Sequence, residues 1–551
     1  MRSSRVVVSA AALVAAGVVL IPGMAGIPGL AGAAHGAEPG TPAARGVSVP
    51  DIDPIEDAPF RSPADGAVRR TALSGANADL AVALVATATS AHGFGLDTEI
   101  TSAAVPLTVT VEWGDGTKDV TTASGSGLLK HTHIYEELGA YTVKVTVEDT
   151  ANATKTVNSV TVGTAGSDFT PYAPTRLLDT REGIGATQGP VPSRGTARVK
   201  VGGNGGIPQG VTAVVLNVTV TNPLGSGFIT AYPEGSPRPG SSNVNFTAGQ
   251  TVPNLVVVPV GENGFVDLYN GSWDSSVDVI ADVTGYFTRK ASSGYTSMDP
   301  VRFVDTREGL GTAQGQVPAR GGFTTRIGGL RGVPSGISAV ALNVTVTDPK
   351  ASGYLTVLPG GGAIPNASNL NFTAGQTIAN SVIVPVSADG TITVFNGSWG
   401  GATDVVVDVV GSYGTAGTGA YMPVEPERLF DTRDPAGQAY GALEGDTYIY
   451  AALSTRNPHI TGYVLNSTVT DTKGAGYLTV APDPNTLDEY VNRTAAWPRP
   501  PFISNLNWTA GATVPNLVQA STGSHGIIDF WNKGWDSTEL VVDLFGYYDA
   551  R

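Results

Sequence analysis

A strand-like segment with two asparagines occurs three times in the chain, and amide side chains at this spacing could bind sugar hydroxyls. On a β-strand successive side chains face opposite sides, so Asn243 and Asn245 share one face while Val244 and Phe246 share the other. An amide both donates and accepts hydrogen bonds, as sugar hydroxyls do. The three copies read SNVNFTAGQTVPN at 242–254, SNLNFTAGQTIAN at 368–380 and SNLNWTAGATVPN at 504–516.

A second strand in each copy alternates in the same way, and a loop tryptophan follows it. In VLNVTVT, Leu216 and Val218 lie on the apolar face and Asn217 lies opposite, while Asn254 and Asn270 are expected in turns. The tryptophans could stack on pyranose rings. The candidate ligand-binding residues are Asn217, Asn243, Asn245 and Trp273 in the first copy, Asn343, Asn369, Asn371 and Trp399 in the second, and Asn466, Asn505, Asn507 and Trp535 in the third.

The same residues also fit an internal role. Asparagines can bond the backbone of long connections, and a tryptophan can plug the end of a β-sandwich. A pattern that occurs three times shows only that the repeated unit needs these residues. The sequence therefore leaves two hypotheses open, a sugar-binding face and a set of internal ties.

Asp-Thr-Arg is the second repeated motif with chemical potential. Its Asp and Arg share a strand face, and Arg181 could pair with Asp278 or Asp282 to join the first and last strands of its unit. The alternative is a catalytic carboxylate pair such as Asp179 with Asp282, because glycosidases place two carboxylates a few ångströms apart. Three tandem active sites would be unusual, so no catalytic residue is assigned. The structural set is Asp179, Arg181, Asp305, Arg307, Asp431 and Arg433.

Other catalytic and metal-binding patterns have little basis in the sequence. No histidine recurs across the copies, so neither a Ser/His/Asp triad nor a zinc site has a repeated basis. His131 and His133 could share a strand face and hold a metal, but no third ligand is evident nearby. Calcium at acidic turns such as DGTKD is the other metal alternative. No cofactor is expected.

Composition favours turn-rich β-structure. The 551 residues include Gly 71 and Pro 37 with only 14% charged residues, and the chain is long enough for about three to four domains. A formal charge of −15 argues against nucleic acid and against an anionic membrane surface. The chain has no cysteine, so a lipid cannot be attached through one.

The N-terminal residues resemble an export signal. Two arginines precede an apolar run, and small residues follow up to Ala37, which predicts a signal peptide over 1–37 rather than a retained anchor. Residues 38–76 are rich in proline and acidic residues and predict an exposed linker. No later segment is apolar for long enough to span a bilayer. The protein is expected to be secreted, either released or held at the cell surface non-covalently.

Residues 77–164 alternate like strands around a tight turn. In VEWGDGT, Gly114 and Gly116 can take positive φ and Asp115 can bond its own backbone. The segment HTHIYEELGAYTVKVTVEDT follows, and its His133 and Tyr135 stand at the start of a strand pair. At these residues the chain resembles the polycystic-kidney-disease (PKD) domain, although the aromatic of the first half is shifted. The resemblance implies an immunoglobulin-like β-sandwich that serves as an extracellular spacer or binding module.

The rest of the chain is three copies of one unit, at 168–289, 294–414 and 420–550. Arg176, Arg302 and Arg428 begin RLLDTR, RFVDTR and RLFDTR at a constant spacing of 126 residues. Each copy predicts a β-sandwich or small barrel, so the fold class is a multidomain all-β string. The third copy has an insertion near 485–501, which indicates a surface loop. The unit resembles a module of secreted actinobacterial proteins with no assigned chemistry, which implies a Gram-positive surface setting.

These observations predict a secreted, non-catalytic protein that functions in adhesion or in polysaccharide or cell-wall binding. Several weak sites on one chain would gain affinity from multivalency. A purely structural spacer is the first alternative, and an extracellular hydrolase of unrecognised type is the second. Nucleic acid is not an expected partner.

Overall fold

The computed structural model describes residues 45–48, 59–63 and 77–551, which belong to one compact unit. The predicted signal peptide lies outside the described residues. Within them the chain forms 33 strands and one short helix, which confirms the all-β prediction. No helix among these residues is long and apolar enough to cross a membrane.

The N-terminal half of the described chain contains a two-sheet sandwich. Its sheets have the strand orders β2-β3-β4-β7 and β6-β5-β8-β9. Trp113 and Tyr135 fill its centre, and Gly114 and Gly116 have φ of 91° and 95° as expected. The strands from the N-terminus are β1 (Arg45–Ser48), β2 (Phe60–Arg61), β3 (Ala81–Ala88), β4 (Gly93–Thr101), β5 (Pro106–Glu112), β6 (Lys118–Ser124), β7 (Gly127–Ile134), β8 (Ala140–Asp149) and β9 (Thr154–Gly163).

Each of the three repeats is a sandwich of two antiparallel sheets rather than a small barrel. In the first repeat the inner sheet has the order β10-β17-β12-β15 and the outer sheet has the order β11-β16-β13-β14. The strands are β10 (Asp168–Asp179), β11 (Thr196–Lys200), β12 (Ala213–Thr221), β13 (Gly227–Pro233), β14 (Val244–Phe246), β15 (Val252–Pro259), β16 (Phe265–Asn270) and β17 (Asp278–Thr288).

The second and third repeats have the same strand order as the first. The strands of the second are β18 (Gly294–Asp305), β19 (Gly322–Arg326), β20 (Ala339–Thr347), β21 (Gly353–Pro359), β22 (Leu370–Phe372), β23 (Ile378–Pro385), β24 (Thr391–Asn396) and β25 (Asp404–Gly414). Those of the third are β26 (Ala420–Asp431), β27 (Thr447–Ala452), β28 (Ile460–Thr470), β29 (Gly476–Pro482), β30 (Leu506–Trp508), β31 (Val514–Ser521), β32 (Ile527–Asn532) and β33 (Glu539–Asp549), with helix α1 (Leu487–Val491) in the insertion.

The inner sheet of each repeat is buried on both faces. In β12, Leu216 and Val218 pack against the outer sheet of their own repeat, as the alternation predicts. Ala213 and Val215, whose side chains lie on the opposite face of β12, belong to a different hydrophobic cluster. The second face of β12 is therefore covered by protein and does not face water.

This second cluster is a core that the three repeats share. Aromatic rings from all three meet in it; Phe169 lies 4.3 Å from Tyr413, and Tyr295 stacks on Tyr548 at 3.9 Å, centroid to centroid. Each repeat keeps its own core as well, so the predicted sandwiches stand, but they also pack around one another, which the sequence did not predict. The shared core consists of Phe169, Ala213, Val215, Leu255, Val257, Phe287, Tyr295, Ala339, Ala341, Ile383, Val410, Tyr413, Tyr421, Val464, Leu517, Phe545 and Tyr548.

Parts of the predicted linker form regular structure. Strand β1 adds a parallel fifth strand to the outer sheet of the third repeat, beside β27. The guanidinium of Arg45 donates to the backbone carbonyls of Gly441 and Ala442 at 2.5 and 2.6 Å, and Val47 is buried. Strand β2 pairs with β3 of the N-terminal sandwich. These two described stretches are held against the folded units by strand pairing, whereas composition predicted an exposed linker.

The insertion of the third repeat folds over the outer sheet. Thr486 caps helix α1, and Tyr490 of that helix stacks on Tyr450 of β27 at 3.8 Å. Trp497 packs edge-on against Trp531 of β32. The insertion lies on the surface, as predicted, and its aromatic side chains attach it to the sheet.

Candidate binding surface and inter-repeat contacts

One asparagine from each inner sheet bonds the next repeat and closes a ring around the three. Asn217 of the first repeat donates from Nδ2 to the carbonyl of Ser368 in the second, at 2.6 Å. Asn343 of the second donates in the same way to Ser504 of the third. Asn466 of the third returns to Ser242 of the first, at 2.8 Å. The partners are more than 150 residues apart in sequence, so this ring is entirely tertiary.

A second set of asparagines supports the first. Asn254, in strand β15 rather than in the expected turn, donates to the carbonyl of Asn243 at 2.5 Å and to Oδ1 of Asn466 at 3.2 Å. Its own Oδ1 accepts the backbone N–H of Leu517 at 3.3 Å. The equivalents Asn380 and Asn516 donate to the preceding members of the ring, Asn217 and Asn343, at 3.3 Å each.

The first asparagine of each SNxN segment is also an internal tie. Oδ1 of Asn243 accepts the backbone N–H of Ala231, at 2.7 Å. Asn369 and Asn505 accept from Val357 and Val480 at the same distance. Six of the asparagines proposed to face a sugar are buried and make internal bonds, so no saccharide can reach them. The sugar-facing hypothesis is therefore wrong for these residues. They are Asn217, Asn243, Asn343, Asn369, Asn466 and Asn505.

The second asparagine of each segment is only half-buried. Asn245 and Asn371 accept hydrogen bonds from Ser242 and Ser368, at 3.0 and 3.1 Å. Asn507 lies at the boundary between the second and third repeats, and its Oδ1 has no hydrogen-bond partner within the described residues. These three side chains are the part of the asparagine pattern that stays near the surface.

The strand-joining ion pair exists, but a different arginine makes it. Arg176 of β10 donates from Nε to Asp282 of β17 at 2.9 Å and from Nη1 to Asp179 at 3.0 Å. The predicted residue, Arg181, instead bonds Asp179 of its own turn, at 2.9 and 2.7 Å. The prediction that Arg181 pairs with Asp278 or Asp282 is wrong, because the chain turns after Asp179 and directs Arg181 back onto it.

The other repeats make the same ion pairs. Arg302 joins Asp408, and Arg428 joins Asp543, at 2.9 and 2.6 Å. The turn pairs recur between Asp305 and Arg307 and between Asp431 and Arg433. In every copy this first arginine stands in register with the last-strand aspartate, a pairing that the sequence alone does not give.

The two carboxylates of this ion-pair group differ in pKa for physical reasons. The hydrogen bond from Arg181 holds the pKa of Asp179 below its usual value. Burial raises the pKa of Asp282, and the hydrogen bond from Arg176 only partly offsets this effect. Both carboxylates, which the hydrolase alternative would use, are fully buried and bonded to Arg176, so a substrate would have to displace that guanidinium to reach them.

The three loop tryptophans are almost entirely exposed. Trp273, Trp399 and Trp535 have 81%, 83% and 96% of their surface accessible. Each loop comes just before the last strand of its repeat, whereas Phe287 and its equivalents in the shared core lie at the far end of that strand. The tryptophans therefore do not plug the sandwiches. They project from the ends of the repeats that face away from the shared aromatic cluster.

Buried asparagines hold these tryptophan loops in place. Asn270 donates from Nδ2 to the carbonyls of Val191 and Ser275, at 3.1 and 2.9 Å, and accepts from the N–H of Ser272 at 3.0 Å. Asn396 and Asn532 make the equivalent bonds in the other repeats. Because each loop is tied on both sides of its tryptophan, the indole is presented from a defined backbone.

An arginine lies over the indole in two of the repeats. Arg194 lies 4.4 Å from the ring centroid of Trp273, and Arg320 lies at the same distance from Trp399. The equivalent residue of the third repeat is Asp446, which pairs with Lys533. Trp535 accordingly has the greatest exposure of the three.

The N-terminal sandwich has its own polar contact at His133. Its Nε2 lies 2.7 Å from Oδ2 of Asp115, and its ring stacks on Trp113 at 4.6 Å. Partial burial raises the pKa of Asp115, but hydrogen bonds from Thr117 and His133 lower it to about 2. His133 takes the structural place that the PKD resemblance implies. Among the described residues there is no group of three or more acidic or histidine side chains that could hold a metal ion.

A buried carboxylate pair lies beneath the insertion of the third repeat. Asp529 occupies the register position where Asp267 pairs with Arg198 in the first repeat, but Tyr450 replaces the arginine. Burial, and then the neighbouring Asp483, raise the pKa of Asp529 well above its usual value. Asp483 accepts hydrogen bonds from Asn485 and from the hydroxyl of Tyr490.

The contribution of Asp529 to the stability of the third repeat should therefore fall as pH rises. A carboxyl whose pKa is raised by folding stabilises the fold fully below its unfolded pKa, and this contribution is lost as pH rises through the folded pKa. Asp529→Asn replaces the proton with a permanent donor and should make the melting temperature less dependent on pH between acidic and mildly basic buffers. Asp267→Asn in the first repeat is the matched control. Equal pH dependence in wild type and Asp529→Asn would contradict the raised pKa of Asp529.

Comparison with known proteins identifies one segment. The PKD domain family matches residues 78–163, the N-terminal sandwich. No curated protein matches the chain. Two solved structures cover 69% and 70% of this chain and 90% and 89% of theirs, at 9% identity each: one is described as the atomic structure of Sulfolobus Turreted Icosahedral Virus, the other as the triple jelly roll fold and turret assembly in an archaeal virus. Their TM-scores of 0.14 and 0.15 are too low to support an argument.

Proposed function

We propose that this chain is a secreted, non-catalytic protein that binds polysaccharide or cell-wall glycan through the tryptophans of its three repeats. PKD domains are typical of extracellular proteins, and residues 78–163 are one. The observation that carries the proposal is the exposure of Trp273, Trp399 and Trp535 on loops that are tied to the sandwiches beneath them.

An exposed indole on a fixed loop suits a sugar ring. Tryptophan combines a large flat apolar face with one hydrogen-bond donor, and a pyranose presents an apolar face with hydroxyls at its edge. Since the loop bonds of Asn270 and its equivalents already hold the backbone, little conformational entropy is lost when a sugar binds. An arginine lies over the indole in only two of the three copies, so this contact does not account for an exposed tryptophan in all three.

Three such sites on one chain favour a polymeric ligand. The repeats share a core, so their tryptophans are held relative to one another within one compact unit. Engaging one site raises the effective concentration at the others when the ligand repeats, and avidity follows without strong individual sites. The net charge of −15 favours a neutral or cationic partner over nucleic acid.

A structural spacer is the second candidate function, and the shared core favours it. The PKD domain also contacts the last repeat, where the N–H of Ala91 donates to Asp549 at 3.0 Å. A rigid body of this kind could hold other groups away from a surface without binding anything itself.

The test is a variant in which Trp273, Trp399 and Trp535 are all replaced by alanine. In a sedimentation assay with insoluble cell-wall polysaccharide from Gram-positive bacteria, this variant should lose at least about tenfold in apparent affinity, equivalent to about 1.4 kcal/mol. Single replacements should lose less, since avidity remains. The melting temperature should stay within a few degrees of wild type because the indoles are exposed.

Val120→Ala is the matched control, because Val120 is an exposed apolar residue of the PKD domain. It should bind as wild type does. If the triple tryptophan variant still binds fully, the tryptophan proposal fails. If wild type binds no polysaccharide at all, the spacer function is favoured instead.

A further inference from the structure

A groove lies where the second and third repeats meet. Its volume is about 270 Å³, close to the lower end of the range of about 300–1,000 Å³ for small-molecule sites. The second repeat contributes Arg307, Thr347 and Thr377, and the third contributes Tyr477 and Asn507. Residues of the Asp-Thr-Arg motif and of the SNxN segment therefore come together across an inter-repeat boundary.

The insertion of the third repeat gives this groove a wall that the equivalent positions lack. Phe502 is 92% exposed at its rim, and its carbonyl accepts from Nη2 of Arg302 at 2.7 Å. In each repeat an equivalent threonine hydroxyl donates to one backbone carbonyl, that of Ser241, Ala367 or Ile503. The residue before each is then Gly240, Asn366 or Phe502, so the aromatic occurs only at this boundary.

The polar groups of the groove match a polyol. Arg307 uses Nε and Nη2 to bond Asp305, which leaves its Nη1 for a ligand. Thr347 and Thr377 offer paired hydroxyls 3.0 Å apart. Hydroxyls and amides both donate and accept, as sugar hydroxyls require.

The charge of the groove indicates whether it would bind a neutral or an acidic sugar. Arg302 and Arg307 are balanced by their ion pairs with Asp408 and Asp305. The groove consequently has no net surplus of positive charge, so an acidic sugar gains no net electrostatic attraction over a neutral one. A neutral ring with one apolar face fits the combination of aromatic rim and hydrogen-bonding floor.

We propose that the groove between the second and third repeats binds one neutral sugar residue, stacked on Phe502 and hydrogen bonded by Arg307, Thr347 and Thr377. This inference deepens the proposed polysaccharide binding and rests on it. The groove is a separate subsite from the tryptophans, because it is built at the boundary between repeats and they project from the ends. Its volume accommodates one sugar ring. The groove would therefore bind a single residue of a longer glycan chain.

The experiment is calorimetric titration of the full chain with soluble neutral gluco-, manno- and galacto-oligosaccharides, and with a uronic-acid oligosaccharide for comparison. It uses the variant that lacks Trp273, Trp399 and Trp535 as background, so that only the groove is measured. At least one neutral oligosaccharide should bind. Phe502→Ala should weaken it on the order of tenfold, and Thr377→Val should weaken it several-fold.

Val491→Ala is the control, because Val491 is an exposed apolar residue of the same insertion. Unchanged affinity in Phe502→Ala would overturn the groove proposal, as would tighter binding of the uronic acid than of any neutral oligosaccharide. Absence of binding in the tryptophan-free background would also overturn it while leaving the tryptophan proposal intact. Groove binding combined with undiminished cell-wall binding by the tryptophan-free variant would instead overturn the tryptophan proposal alone.

Discussion

Arg176→Leu should lower the free energy of unfolding of the repeats by about 3–5 kcal/mol, because it leaves the buried Asp282 carboxylate without its partner. The same guanidinium also bonds Asp179, so two carboxylates lose a contact at once. Urea denaturation of the full chain at neutral pH measures the effect. At acidic pH the loss should shrink, since burial already raises the pKa of Asp282 and a protonated carboxyl needs no cation.

Arg181→Leu is the matched comparison for this experiment. Its side chain is 38% exposed, and Asp179 would keep the bond from Arg176, so the loss should be about 1 kcal/mol or less. Arg176→Lys should recover only part of the stability, because a lysine cannot bond two carboxylates with a planar fork. If Arg181→Leu proved the more damaging of the two, the turn pair rather than the Arg176 pair would join the strands.

Asn254→Ala should destabilise the protein by about 3 kcal/mol or more, since each of the three buried polar groups that lose their partner costs about 1–3 kcal/mol. The change removes the hydrogen-bond partner of three groups: the carbonyl of Asn243, Oδ1 of Asn466 and the N–H of Leu517. Two of these groups belong to the third repeat, so the first and third repeats should become less coupled. Calorimetry should then show a broader or divided unfolding transition.

Asn245→Ala tests whether the loss of stability depends on where the asparagine lies in the fold rather than on its being an asparagine. Asn245 is half-buried and accepts one bond, from Ser242, so its loss should cost about 1 kcal/mol or less. Equal costs for Asn245→Ala and Asn254→Ala would contradict the importance of the inter-repeat contacts of Asn254. A stable, fully cooperative Asn254→Ala protein would do the same.

Local pattern was enough to predict the elements of the fold. Valine alternation in LNVTVT and YTVKVTVED predicted strands with one apolar face, and β12 and β8 have that face in their cores. The WGDGT turn was predictable because only glycine adopts its positive φ readily. The 126-residue spacing of the motif predicted three like units, and each is a two-sheet sandwich with the same strand order.

What covers the second face of each strand was decided only by tertiary structure. Alternation shows that Asn217 lies opposite Leu216, but an asparagine suits a wet surface and a buried hydrogen-bonded site equally well. Its partner, Ser368, is 151 residues away, and nothing local specifies that contact. The exchange of Arg181 for Arg176 has the same origin, since backbone direction after Asp179 determines which guanidinium reaches Asp282. Residue type sets which bonds a side chain can make, whereas burial and the approach of distant segments determine which of them form.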